Sequence, residues 1–220
     1  KSVMNRDNIN KTIFWSLLYI FLYSACTVIV NLYLSNLLLL AVGVSGAVYI
    51  ILNMFCIQYK RERLFINGLV GAMSVMCIGI WFGKHLSLES TISIGSVVTA
   101  MDIMSFTRIG KKTVNAKAMS NKTVAAKLFV YGLEKNDVLI PTCGFGDYLY
   151  YAMWISGTHA LSSSGIFYAF VAFMVFAGTI LQSITVKVLS KRDGFKGFPG
   201  TVFPFLCTVL AYLLLYYQGI

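Results

Sequence analysis

The sequence predicts an all-α membrane protein of about seven transmembrane helices, with a stretch ahead of the fifth that suits either a short strand or a lead-in to that helix. Three observations lead there. The 220 residues are 58% hydrophobic and only 12% charged, with a mean hydropathy of +0.75, whereas soluble domains are nearer one quarter charged. The apolar residues fall into seven runs, each near the length of about 20 residues that crosses a bilayer. The basic residues collect in alternate connections between those runs.

Taken in order, the runs are 12–33, 36–57, 64–83, 90–108, 138–157, 164–187 and 200–218. Each is expected to be helical, because lipid offers no partner to an exposed backbone N–H or C=O. The connections set the orientation. Lys1, Arg6 and Lys11 precede the first run, "QYKRER" follows the second, "RIGKKTVNAKAMSNKTVAAK" the fourth and "KVLSKRDGFKG" the sixth. The opposite connections, "LSN", "GKHLSLES" and "GTHALSSSG", are almost uncharged. Cytoplasmic loops carry the excess of Lys and Arg. The N-terminus and the 109–137 connection are therefore expected in the cytoplasm and the C-terminus outside. Within that connection "KLFVYGL" (127–133) is β-prone and bounded by Gly, which suits either a strand at the membrane edge or an irregular or helical lead-in to the next span. No repeat or linker marks a second domain, so residues 1–220 read as one polytopic membrane domain.

The net charge of +10 belongs to these orientation signals. No basic helix or aromatic-basic face is present, so nucleic acid is not an expected partner. The five cysteines, Cys26, Cys56, Cys77, Cys143 and Cys207, form no CxxC pair and read as free packing thiols. His85 and His159 lie far apart and show no metal-ligand spacing. No metal, nucleotide, haem or other cofactor is expected.

Of the eight acidic residues, six lie in or beside connections; only Asp102 and Asp147 stand inside apolar runs. An Asp in hydrocarbon costs about 2.5–3.5 kcal/mol on insertion scales, so it has a use or a partner. Asp102 is six residues before Arg108, about 9 Å along a helix. Asp147 is about nine residues into the next run, which enters from the same side. Antiparallel helices then bring both to similar depth. Gly95, Thr99, Asp102 and Ser105 share one small, polar helix face, fit for a helix interface or a wet cavity. Two carboxylates a few ångströms apart cannot both ionise, so the pair holds one proton. The ionised partner can deprotonate a water while the other polarises a carbonyl and later protonates a leaving amine, without a metal. The residues alone leave three readings open: an aspartic protease, a cation or proton-relay site in a transporter, and a structural polar pair between helices.

The stretch "GFGDYLYY", Gly144 to Tyr151, resembles the GxGD motif of the intramembrane aspartyl proteases, the presenilins and signal peptide peptidases. In that family the second catalytic aspartate ends GxGD and the first lies in the preceding helix, usually as Tyr-Asp. Here the preceding run has "AMDIMSF", with Met101 in place of the Tyr. The family's last helix begins with Pro-Ala-Leu. Here "FPGTVFPF" keeps Pro199, while Gly200 and Thr201 depart from Ala-Leu. The resemblance covers roughly residues 64–220. Presenilins place the loop between the aspartate helices in the cytosol and the C-terminus outside, and signal peptide peptidases are inverted, so the presenilin-like branch fits better. Presenilins have nine spans, and this chain looks like their third to ninth. Prepilin and preflagellin peptidases also use GxGD and are the nearest enzyme alternative.

The resemblance implies Asp102 and Asp147 as catalytic residues and transmembrane helical proteins within the lipid bilayer as substrates. It further implies that an unwound substrate is held by strand addition, with "KLFVYGL" as one edge and the backbone at Pro199, Gly200 and Thr201 as the other. Gly144 and Gly146 are expected to allow tight packing of the fifth span, Phe145 to shape the site between them, and Tyr151, one turn beyond Asp147, to donate a hydrogen bond to it. The opposing expectations are plain ones: glycine for packing, Pro199 for a helix start, and Tyr151 as a core aromatic.

Overall fold

The structure, a computed structural model, describes residues 6–57, 60–107, 122–134, 138–191 and 198–217. It is mostly helical. In chain order the elements are α1 (Arg6–Tyr33), α2 (Asn36–Phe55), α3 (Leu64–His85), α4 (Leu88–Ser105), α5 (Lys122–Ala126), β1 (Phe129–Glu134), β2 (Val138–Gly144), α6 (Phe145–Gly157), α7 (Gly165–Leu189) and α8 (Val202–Tyr217). Arg108, most of the basic fourth connection and the basic run at 192–197 lie outside the described residues.

Among the described residues, four helices are long and apolar enough to cross a membrane: Ile9–Tyr33, Asn36–Phe55, Arg61–His85 and Gly165–Leu189. The other three apolar runs give shorter or more polar helices. α4 has 18 residues, α6 has 13 and α8 has 16. The boundaries follow local chemistry. Ser87 caps α4 by accepting the Ser90 N–H at 3.2 Å, which satisfies one of the donors a helix start leaves unpaired.

The run 138–157 is not one helix, which corrects the expected fifth span. Its first seven residues form β2, and the helix begins only at Phe145. Hydropathy cannot separate an apolar strand from an apolar helix, but Val138, Ile140 and Thr142 are β-branched and Pro141 has no N–H to give a helix. β2 pairs antiparallel with β1, from Glu134↔Val138 to Phe129↔Gly144, with an irregularity between Phe129 and Tyr131. Thr142 reinforces the pair by donating its hydroxyl to Val130 O at 2.8 Å. The expected strand at 127–133 thus runs from 129 to 134, and Lys127 and Leu128 form the turn before it.

α6 is the centre of the molecule. Ala152, Trp154 and Ile155 are wholly buried, and α3, α1, α7, α8 and α4 all contact the helix. Lipid supplies no hydrophobic drive between helices, so close approach through small residues matters. Gly79 and Gly83 of α3 provide it: a Cβ at either would come within 2.5 Å of a carbonyl of α6, Leu149 O or Met153 O. Two tyrosines fix the helix further. Tyr23 of α1 donates to Tyr148 O at 2.8 Å, and Tyr212 of α8 donates to Trp154 O.

Candidate functional site

Asp102 stands in the last turn of α4 and Asp147 is the third residue of α6. Asp147 is therefore in the first helical turn and not deep inside a long helix. Both carboxylates, each half-buried, line one cavity of about 300 Å³. The hairpin contributes Phe129, Thr142, Cys143 and Gly144, and Tyr151, one turn after Asp147, lines it as well. Among the described residues, no Lys or Arg lines the cavity.

One short segment touches both acids. Thr201 donates its backbone N–H and its hydroxyl to Asp102 Oδ2, both at 3.0 Å. Its neighbour Gly200 lies against the other acid: a Cβ there would sit 3.0 Å from Asp147 Oδ1. Tyr151 donates to Gly200 O at 3.1 Å, so this tyrosine holds the segment and not a carboxylate. Thr201 is 3% exposed. Pro199 is buried just ahead of them but does not line the cavity.

The two motif glycines do not serve the expected tight packing. A Cβ at Gly144 would meet Asp147 Oδ2 only at 3.9 Å, and one at Gly146 would meet nothing within 4 Å. Gly144 is also in extended backbone, φ −75° and ψ 157°, which any residue adopts. These positions leave room beside Asp147. Phe145 turns away from the cavity and buries its ring where Gly71 of α3 has no side chain. Met101, ahead of Asp102, is 61% exposed and does not line the cavity.

Sequence reasoning missed a whole wall. Thr12, Ser16 and Ile20 of α1 line the cavity on one side, and Thr179, Gln182, Ser183 and Val186 of α7 on another. Their spacing was the available signal, because residues three and four apart share a helix face. Thr179 and Ser183 donate their hydroxyls to carbonyls of their own helix, Phe176 O at 2.7 Å and Thr179 O at 2.8 Å.

α6 is about 20 Å long at 1.5 Å per residue, short of a hydrocarbon core of about 30 Å. Gly144, the last residue of β2 just ahead of it, lines the cavity. Among the described residues no cluster of three or more His, Cys, Asp or Glu assembles. No protein-family model matches the chain, and neither a curated protein nor a solved structure does.

Proposed function

We propose that this chain is an intramembrane aspartyl protease, similar to the presenilins, that hydrolyses peptide bonds within transmembrane helices of other proteins. One observation carries the reading: Asp102 and Asp147, from separate apolar helices, line the same cavity, with no Lys or Arg among the described residues that line it. Like charges so placed share a proton. Thr201 gives Asp102 two donors, an environment suited to the ionised partner. Asp102 is then the base and Asp147 the acid.

A water held between them attacks the carbonyl carbon of the scissile amide. Its proton passes to Asp102, while Asp147 donates its proton to the carbonyl oxygen, giving a neutral tetrahedral diol. The C–N bond then breaks as the nitrogen takes the proton held by Asp102, and a diol hydroxyl returns a proton to Asp147. The open space at Gly144 and Gly146 leaves a path for substrate backbone to Asp147. The β1–β2 hairpin supplies strand edges beside the acids for an unwound substrate segment.

The finer topology belongs to the same proposal. Seven crossings, with α4, α8 and the hairpin plus α6 as the short ones, put the N-terminus and the 109–137 connection in the cytoplasm and the C-terminus outside, as the basic loops require. The cavity would then open toward the cytoplasm.

The test is cleavage of a helical substrate in proteoliposomes by the purified protein, beside Asp102→Asn and Asp147→Asn. The reading requires cleavage by the native chain and loss in both variants with folding intact. Cleavage surviving in either variant sinks the dyad. If no form cleaves and cation-dependent transport is lost in the variants, the carboxylates serve a transporter.

A further inference from the structure

Lys127 has no part in the chemistry above, yet it is only 8% exposed. Its ammonium reaches the end of a different helix. Nζ donates to Asn53 O at 2.7 Å, Ile57 O at 2.8 Å and Met54 O at 3.4 Å. These carbonyls lie at and just beyond the C-terminus of α2, where a helix leaves its last acceptors unpaired and carries its partial negative charge. A cation is the group that this end favours, and all three acceptors are main-chain atoms.

The chain on the other side of Lys127 leads directly to the site. Leu128, the next residue, accepts the Phe145 N–H at 2.9 Å. Phe145 opens α6, two residues before Asp147. Phe129, the residue after Leu128, lines the cavity. α2 itself packs chiefly on α3 and leaves much of its apolar surface exposed. A buried charge therefore joins the end of an outer helix to the turn from which the acid-bearing helix hangs.

We propose that Lys127 is a positioning residue: by holding the end of α2 it fixes the start of β1, and through Leu128 it fixes the first turn of α6 and so Asp147. The catalytic side of this inference rests on the protease reading, and its geometric side does not. Substituting Lys127 leaves both aspartates and Thr201 untouched. Lys127→Arg retains a cation able to reach several carbonyls, whereas Lys127→Met keeps the apolar stem and removes the donors.

The experiment uses two readouts on the full chain. The first is the modification rate of Cys143 by a small charged methanethiosulfonate, resolved from the other cysteines by peptide mass spectrometry. Cys143 is half-buried on the cavity wall in β2, while Cys77 is buried in α3. The second is the kcat and KM of cleavage in proteoliposomes. Lys127→Met is expected to raise the Cys143 rate about tenfold through local opening of the hairpin, with Cys77 still protected. It should lower kcat more than it raises KM, and Lys127→Arg should restore much of both readouts. An unchanged Cys143 rate in Lys127→Met overturns the proposal, whether or not cleavage falls. A parallel rise at Cys77 overturns it too, because the defect is then global. If the native chain cleaves nothing, the Cys143 rate alone decides the tether, and only the protease reading is lost.

Discussion

Replacing Thr201 by Val removes one of the two donors on Asp102 Oδ2 while keeping nearly the same shape. The site is 3% exposed, so little water can take the place of the lost hydroxyl on that side. The backbone N–H of residue 201 remains, at 3.0 Å from the same oxygen. A hydrogen bond to a charged group is worth about 1.5–3 kcal/mol, and each 1.36 kcal/mol is a factor of ten in rate. If that bond holds Asp102 ready as the base, Thr201→Val should lower kcat/KM roughly ten- to hundredfold. Thr201→Ser keeps the hydroxyl and should stay within about threefold of the native rate. The assay is single-turnover cleavage of a helical substrate in proteoliposomes, beside thermal unfolding of each variant in detergent. Native-like cleavage by a folded Thr201→Val refutes the reasoning, because the hydroxyl then supports only the fold or nothing. A loss shared equally by Ser and Val variants refutes it as well, since the hydroxyl would not be the cause.

Further outcomes follow from the same contacts. Gly200→Ala places a Cβ 3.0 Å from Asp147 Oδ1, a contact that only a shift of the carboxylate relieves. Slower cleavage at unchanged melting temperature is expected, and unchanged kinetics would count against this geometry. Tyr151→Phe removes the donor to Gly200 O and should cost about 0.5–1.5 kcal/mol of stability, read as a lower melting temperature. Gly83→Val forces a Cβ to 2.5 Å from Met153 O and should destabilise by about 1–3 kcal/mol. Gly146→Ala meets nothing within 4 Å and should change stability by less than about 0.5 kcal/mol; a larger loss would show that the space there is not open.

The helical membrane class was legible because composition decides it: so few charges cannot clothe a soluble domain. Asp102 and Asp147 stood out for a related reason, since a carboxylate among apolar residues is expensive enough to need an explanation. Their neighbours did not stand out. Thr12, Ser16, Thr179 and Ser183 are cheap in a helix, because such hydroxyls can bond the carbonyl one turn back, as those of Thr179 and Ser183 do. The β2 strand was hidden by its hydrophobicity, which hydropathy reads as part of a span. Pro141, three residues ahead of the GxGD stretch, was the local sign against a helix. The glycines were misassigned between elements. Gly144 and Gly146 read as packing residues from their motif, but the close approaches belong to Gly79 and Gly83. Only the partner helix makes a glycine necessary, and a sequence does not display the partner.

Gly200 and Thr201 read as departures from a Pro-Ala-Leu pattern, which invites the inference of a weakened site. Their contacts argue for a different balance. An alanine at 200 would press on Asp147, and a leucine at 201 would keep the N–H on Asp102 but lose the hydroxyl. Glycine leaves Asp147 its room, and threonine gives Asp102 a second donor. The two changes act through one peptide segment on opposite members of the pair. They are therefore coupled, and changing one alone is a poor guide to either. Gly200→Ala with Thr201→Leu should not behave as the sum of the single variants, because residues in contact with one charge network do not add. The pair of departures is better understood as a single alternative way of treating two unlike acids differently.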